Sequence, residues 1–177
     1  MVLPIIGIAF VAIIAFALYN ASKLQSIQIV KSVTINAPRE EVFKMVQYLS
    51  NFPKWSPFLA QDPSQKYTVK GTDGTVGAQY HWEGNKGNDL GYQEIAKIDS
   101  LNSIVLKCSI QKPFEASPSF EYTFKEVQNG IVVTQDFKLQ SNLVNAFFMW
   151  MLGVKPKMEE TNVFGLDLLK KAVENKK

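Results

Sequence analysis

Few side chains in this sequence could do acid–base or nucleophilic chemistry. His81 is the single histidine and Cys108 the single cysteine. His81 could act as a general base together with Glu83, two residues further on. Both alternate with Tyr80 and Trp82 in a strand-like pattern, however, so both are predicted to face solvent. Cys108 falls on an apolar face, where a thiol behaves as a small hydrophobic group. We therefore predict no catalytic residue.

The amino-acid composition argues against a metal site, an intramolecular disulfide and binding of nucleic acid. One His and one Cys cannot supply the ligands of an ordinary zinc site, and a single cysteine excludes an intramolecular disulfide. The net charge is +3, from 19 basic and 16 acidic residues, and no basic run is longer than the pairs Lys170-Lys171 and Lys176-Lys177. Nucleic acid is therefore not an expected partner. We predict no metal and no cofactor, and the oligomeric state stays open.

Two polar residues, Gln135 and Glu94, could bind a ligand or transfer a proton inside the predicted apolar interior. Gln135 is the one polar residue on the inward face of the last predicted strand. It is either a core amide bonded to Tyr122 or to backbone, or a polar anchor for a ligand head group. Glu94 could be a buried acid–base group if its strand turns it inward. It is a surface charge if Gln93 and Ile95 face inward instead.

These residues are carried by a succession of short strands. Strand-like segments are predicted at residues 27–35, 66–71, 76–84, 91–98, 104–110, 120–126 and 131–139. Alternation of apolar and polar residues in most of them is typical of an antiparallel sheet with one solvated face. A helix opening at Arg39 follows the first strand, and an aromatic segment with two prolines, Asn51 to Phe58, follows that helix. The order predicts an α+β domain.

A long C-terminal helix is predicted to cover the sheet, with Pro156 in its first turn. Its inward face is predicted to consist of Met158, Thr161, Gly165, Leu168, Leu169, Ala172 and Val173, at i, i+3, i+4 spacing. The upstream half of that face, Thr161 and Gly165, is small or polar. Such a helix leaves room for a cavity between itself and the sheet.

The chain begins with an apolar segment. Leu3 to Tyr19 contains no charged residue, and as a helix it would be roughly 26 Å long, at the short end for a bilayer span. No Lys or Arg precedes it, whereas Lys23 and Lys31 follow it. This favours an uncleaved single-pass anchor over a signal peptide and places the following domain in the cytoplasm. The predicted organisation is an anchor at residues 1–22, a linker at 23–26 and a globular domain at 27–177.

Several local motifs occur in a distinctive order. They are Val33-Thr34-Ile35-Asn36-Ala37-Pro38, Trp55-Ser56-Pro57-Phe58, Val76-Gly77-Ala78, Trp82-Glu83-Gly84-Asn85, Lys112-Pro113-Phe114 and Gly165-Leu166 with Leu169-Lys170. Together they resemble the polyketide cyclase/dehydrase and lipid-transport family of the START-like (SRPBCC) superfamily, over residues 29–174. The resemblance implies a helix-grip fold, a curved antiparallel sheet of about seven strands wrapped around a long C-terminal helix. Gln135 departs from the aromatic residue that many members carry, and the N-terminal anchor is not part of the family's core domain.

The resemblance also implies a function, because family members bind apolar or amphipathic small molecules beneath the last helix. We expect a membrane-anchored binding or transport domain for such a molecule, lipid or isoprenoid-like. A cyclase/dehydratase-type enzyme using the same cavity and a scaffold domain with a filled core are the alternatives. The family pattern favours a surface position for Glu94. The predicted cavity-lining residues are Trp55, Tyr80, Trp82, Phe120, Tyr122, Gln135, Phe137, Thr161, Gly165 and Leu169.

A run of six large apolar residues, Phe147 to Leu152, precedes the last helix. One helical stripe cannot bury all six, so some must face outward. Phe147, Phe148 and Trp150 are candidates for contact with membrane lipid. The alternative is that the whole run packs against the sheet edge or the first helices.

Overall fold

A seven-stranded antiparallel sheet and the C-terminal helix packed on it form the centre of the computed structural model, which describes the backbone of residues 2–175 and the side chains of residues 11–175. Its strands are β1 (Ser26–Ile35), β2 (Lys66–Lys70), β3 (Gln79–Gly84), β4 (Asp89–Asp99), β5 (Ser103–Lys112), β6 (Ser119–Val127) and β7 (Gly130–Gln140). Their order in the sheet is β1-β7-β6-β5-β4-β3-β2. The predicted α+β architecture is confirmed.

The helices occur at the ends of the chain and between the first two strands. They are α1 (Val2–Ser22), α2 (Arg39–Gln47), α3 (Pro57–Gln61), α4 (Leu143–Met151) and α5 (Val154–Glu174), with short 3₁₀ helices at Leu49–Lys54 and Asn85–Gly87. Ser56 caps α3 by accepting a hydrogen bond from the Leu59 N–H at 3.2 Å, and Pro57 occupies its first turn. The predicted aromatic segment is therefore one 3₁₀ helix and one short α-helix.

Polar contacts hold α5 along the edge strand β1. Lys170 Nζ donates to the Thr34 carbonyl oxygen at 2.9 Å, and the Asn36 N–H donates to Glu174 Oε1 at 2.7 Å. At the other end of the helix, Lys31 Nζ lies 3.5 Å from Glu159 Oε2. These contacts fix the direction of α5 relative to the sheet, and hence which of its residues face inward.

The core divides into two clusters of buried side chains. The larger lies under the downstream half of α5 and joins α2 to β4–β7; it includes Val42, Val46, Leu106, Val133 and Leu169. The smaller lies under α4 and contains Ile27, Ile29, Phe137, Leu139, Ala146 and Met149. The upstream half of α5 lies between the two clusters and does not pack fully on either of them. The candidate site lies there.

Two strands bear on the predictions from the sequence. β3 begins later than predicted, and β4 decides whether Glu94 faces inward or outward. β3 begins at Gln79, because Gly77 adopts a φ of +88° that interrupts the extended chain, and Val76 is exposed. β4 turns Gln93 and the neighbouring Ile95 inward. Glu94 faces outward, where its Oε2 accepts a hydrogen bond from the Gln79 side chain at 2.6 Å. Glu94 is therefore not a buried acid–base group.

The N-terminal segment forms the helix α1. In the part of the chain that the structure describes, no helix is long and apolar enough to cross a membrane. The single-pass anchor predicted at residues 1–22 is therefore not supported, and the predicted cytoplasmic orientation depended on it. The side chains of residues 1–10 lie outside the described part. Further along, α1 packs beside α4, with the Phe16 and Trp150 rings in edge contact at 6.2 Å.

Candidate functional site

A cavity of about 290 Å³ lies between the sheet and the upstream half of α5. Six residues of α5 line it: Val154, Lys157, Met158, Thr161, Asn162 and Gly165. The volume is close to the lower end of the range of small-molecule pockets, roughly 300 to 1,000 Å³. Thr161 and Gly165, which form the upstream half of the predicted inward face, both lie on the wall of the cavity.

Most of the predicted lining residues lie on the cavity wall. They are Trp55, Tyr80, Trp82, Phe120, Tyr122, Gln135, Phe137, Thr161 and Gly165. Leu169 is the exception, because it lies one turn after Gly165, where α5 closes onto the sheet, and it is fully buried in the larger core cluster. Leu169 therefore belongs to the packed core beside the cavity.

Aromatic rings in edge contact form one continuous side of the wall. Phe52 contacts Trp55 and Tyr80, with ring centroids 4.8 and 5.1 Å apart, and Trp55 contacts Tyr122 at 5.9 Å. Trp55 is further fixed by a hydrogen bond from its Nε1 to the Met45 carbonyl oxygen at 3.3 Å. This arrangement gives the cavity a large apolar surface of defined shape.

Gly165 and Pro57 of α3 both lie on the cavity wall. A Cβ at position 165 would lie 3.4 Å from Pro57 Cγ, an ordinary van der Waals contact. An alanine would therefore fit here without displacing α3.

Four buried polar atoms on the cavity wall have no hydrogen-bond partner within the described part of the protein. They are Tyr80 Oη, Gln93 Nε2, Gln135 Oε1 and Asn162 Nδ2. The exposed fractions of these residues are 0, 5, 5 and 7 %. Gln135 is also bonded to Tyr122, whose hydroxyl accepts from Nε2 at 2.8 Å. The alternative that makes Gln135 a core amide is therefore correct for Nε2, while its Oε1 keeps a free acceptor position.

The ionisable groups on the wall are mostly neutral at physiological pH. Burial raises the pKa of the Cys108 thiol to about 12 and also raises the pKa values of the Tyr80 and Tyr122 hydroxyls. The carboxylate of Asp89 accepts hydrogen bonds from Trp82 Nε1 at 2.9 Å and from the Gln65 side chain at 3.4 Å. The wall therefore offers neutral donors, one carboxylate that is already hydrogen-bonded and, at its exposed edge, the side chain of Lys157.

His81 lies outside the cavity, as the strand pattern predicted. Its ring stacks on Tyr92 with centroids 5.1 Å apart, and its Nε2 is 2.9 Å from Gln79 Oε1. Partial burial, with a smaller contribution from Lys70, lowers its pKa. Among the described residues, no group of His, Cys, Asp and Glu side chains could hold a metal ion.

Among the wall residues missed from the sequence, Gln93 and Asn162 are the two that carry buried polar atoms without a partner. Gln93 was present only as one alternative for the inner face of its strand. Asn162 was passed over because the helical face was chosen for apolar character. The spacing of Asn162, Leu166, Leu169 and Val173 is i, i+4, i+7, i+11, and all four are buried. A stripe defined by spacing alone would have included it.

The cavity opens at its partly exposed wall residues. Phe58 of α3 is 48 % exposed, and Phe114 of the β5–β6 connection is 55 % exposed. Lys157, in the first turns of α5, is also on the wall and exposed. We call these three residues the mouth. It presents two aromatic rings and one positive charge to the surroundings.

A family model described as polyketide cyclase / dehydrase and lipid transport matches residues 26–174. The chain belongs to this family. Membership in the polyketide cyclase/dehydrase and lipid-transport family confirms the resemblance drawn from the sequence motifs, and it agrees with a helix-grip-like fold and a cavity beneath the last helix. No curated protein matches the sequence.

Solved structures with the same fold have low sequence identity to the chain. Protein Ms6760 from Mycobacterium smegmatis is 19% identical, with a TM-score of 0.61, over 87% of this chain and 95% of that one. Protein MLL2253 from Mesorhizobium loti is 12% identical, with a TM-score of 0.63, over 85% and 99%. The di-domain ARO/CYC protein StfQ from the steffimycin biosynthetic pathway is 8% identical, with a TM-score of 0.63. The match covers 85% of this chain and 51% of StfQ. These likenesses show the fold alone.

Proposed function

We propose that the chain is a binding or transport domain for an apolar or amphipathic small molecule, lipid or isoprenoid-like, held in the cavity under α5. The observation that carries the proposal is a cavity of about 290 Å³ with an aromatic wall and buried polar atoms without protein partners. Protein interiors are normally close-packed, and a scaffold domain would be expected to fill such a space with side chains. Ligand sites, in contrast, combine apolar walls with a few placed polar groups.

Binding is favoured over cyclase or dehydratase chemistry by the character of the wall groups. A general base or nucleophile works best with a pKa near the operating pH. The thiol of Cys108 has its pKa raised to about 12, and burial also raises the pKa of the Tyr80 hydroxyl. Both groups are therefore suited to donating hydrogen bonds to a ligand.

A saturable binding titration with a matched pair of variants tests this proposal. The neutral fluorophore N-phenyl-1-naphthylamine is expected to bind the full chain with one-to-one stoichiometry. Thr161→Trp places a large ring on the cavity wall and is expected to weaken binding at least about tenfold, a free-energy change of about 1.4 kcal/mol. Val163→Trp makes a similar change on the exposed side of α5 and is expected to bind as the wild type does. Absence of saturable binding by the wild type would contradict the proposal.

We further propose that α4 rests on a membrane surface. The exposed apolar residues of α4 and its C-terminal end are Leu143, Val144, Phe148, Met151 and Leu152. Phe147 and Trp150 are half-buried, and Trp150 packs on Phe16 of α1, so Phe148 is the strongest contact of the three predicted candidates. Lys155 and Lys157 follow directly and are exposed, which suits anionic lipid head groups. Such contact would bring the mouth close to a lipid source.

A further inference from the structure

The unpartnered polar atoms of the cavity are the starting point. A buried donor or acceptor without a partner is unfavourable, and native proteins hold few of them. In the part of the chain that the structure describes, all the buried side-chain atoms of this kind belong to residues of the one cavity wall. Their coincidence indicates that the partners come from what the cavity binds.

Two of these residues are neighbours in the sheet. Tyr80 and Gln93 lie directly opposite each other in the β3–β4 ladder, so their side chains are adjacent on the inner face. Tyr80 Oη and Gln93 Nε2 can both donate a hydrogen bond. We call Tyr80 and Gln93 the first polar pair, which could hold one ligand oxygen between two donors.

The other two residues, Gln135 and Asn162, face the cavity from β7 and from α5. Gln135 lies opposite Lys31 in the β1–β7 ladder, and Lys31 reaches Glu159 on α5. Asn162 is one turn further along α5 than Glu159, and both Gln135 and Asn162 line the cavity. We call Gln135 and Asn162 the second polar pair. It offers one amide donor and one amide acceptor to a second polar atom of the ligand.

The charge of the wall limits what kind of head group fits. The buried wall residues include no Lys or Arg among those described, and Lys157 is exposed at the mouth. Asp89 brings a carboxyl group to the wall, and this group already accepts hydrogen bonds from Trp82 and Gln65. An anionic head group in the interior would have no cation to pair with, and burying an unpaired charge is strongly unfavourable.

We infer that the bound molecule is neutral and mostly apolar and carries carbonyl or hydroxyl oxygens, which the two polar pairs receive. Fatty acids and anionic phospholipids do not meet this description. The inference rests on the proposed binding function and specifies its ligand class. It assigns a binding role to Gln93 and Asn162 as well as to Tyr80 and Gln135.

Three compounds with the same tricyclic ring system and different polar groups test the inference: 9-fluorenone, fluorene and fluorene-9-carboxylate, each measured by displacement of N-phenyl-1-naphthylamine from the full chain. Fluorenone, which has a carbonyl oxygen, is expected to bind about tenfold more tightly than fluorene, as one or two net hydrogen bonds would give. The carboxylate is expected to bind most weakly. Equal binding of fluorenone and fluorene, or tightest binding of the carboxylate, would overturn the inference.

Variants of the first polar pair test whether Tyr80 and Gln93 cause the preference for fluorenone. Gln93→Leu and, separately, Tyr80→Phe are expected to remove the preference for fluorenone while fluorene binding stays within about twofold, which also shows that the fold and the cavity persist. Gln28→Leu on the exposed side of β1 is the matched control and should keep the preference. If both wall variants keep the wild-type preference, the first polar pair does not receive the oxygen. If the wild type binds neither the fluorophore nor any fluorene compound, the proposed function itself fails.

Discussion

Gln135 and Tyr122 face each other across β6 and β7, and the amide Nε2 of Gln135 donates to the Tyr122 hydroxyl at 2.8 Å. Both residues are at least 95 % buried, with exposed fractions of 5 and 3 %. The bond fixes the side-chain amide inside an otherwise apolar wall. It also determines which amide atom remains available to a ligand.

This pair should behave as a coupled unit in stability measurements. Tyr122→Phe leaves both amide atoms of Gln135 without a partner and is expected to lower the free energy of unfolding by about 1–3 kcal/mol. Adding Gln135→Leu removes the unpaired amide, so the double variant should be more stable than Tyr122→Phe alone. Urea unfolding of wild type, both single variants and the double variant measures the coupling. Strictly additive changes would show that the bond contributes nothing.

Cys108 should be an unreactive thiol in the folded protein. Burial raises its pKa to about 12, so almost no thiolate is present at pH 8. Alkylation by iodoacetamide at pH 8 is expected to be far slower in the folded chain than in the urea-unfolded chain, as read by mass spectrometry. Equal rates in the two states would contradict the raised pKa of the thiol.

The same pKa shift has a consequence for stability. A raised pKa means that the folded state keeps a proton that the unfolded state loses above its own value of 9.0. The stability advantage of wild type over Cys108→Ala should therefore be constant below pH 9 and decrease as the pH rises from 9 toward 12. Denaturant unfolding at several pH values checks the direction. An advantage that grew with pH would contradict it.

The proposed membrane contact of α4 predicts a selective loss of vesicle binding. The double variant Phe148→Glu with Leu152→Glu replaces two exposed apolar side chains by carboxylates. We expect reduced co-sedimentation with vesicles containing phosphatidylglycerol, because apolar insertion and attraction to anionic lipid are both weakened. Val76→Glu, an exposed apolar position elsewhere in the fold, is the control and should bind as wild type. Unchanged vesicle binding by the folded double variant would show that α4 does not contact the membrane.

Much of the fold could be predicted because apolar and polar residues alternate clearly along most of the strands. In β6 and β7 the inward residues Phe120, Tyr122, Gln135 and Phe137 follow directly from period-two spacing, and all four line the cavity. β4 was ambiguous because each of its faces carries both polar and apolar residues. Its pairing with β5 is also irregular near Ile95 and Lys97, which weakens a simple parity argument.

The polar part of the site was harder to predict, for a physical reason. A search for apolar periodicity favours residues that fill a core, whereas a binding site needs buried polar groups that break that pattern. Asn162 was omitted on these grounds although it is buried. The N-terminal apolar run was interpreted by composition alone, and nothing local could show that Phe16 packs against Trp150 far along the chain.

Native mass spectrometry of the purified full chain, without and with added 9-fluorenone, tests the central claim most directly. The cavity account predicts either a co-purified apolar small molecule released on unfolding, or uptake of one fluorenone per chain. Thr161→Trp should show neither, whereas Val163→Trp should behave as wild type. A wild-type chain that carries no molecule and takes up no fluorenone, under conditions in which it remains folded, would contradict the account.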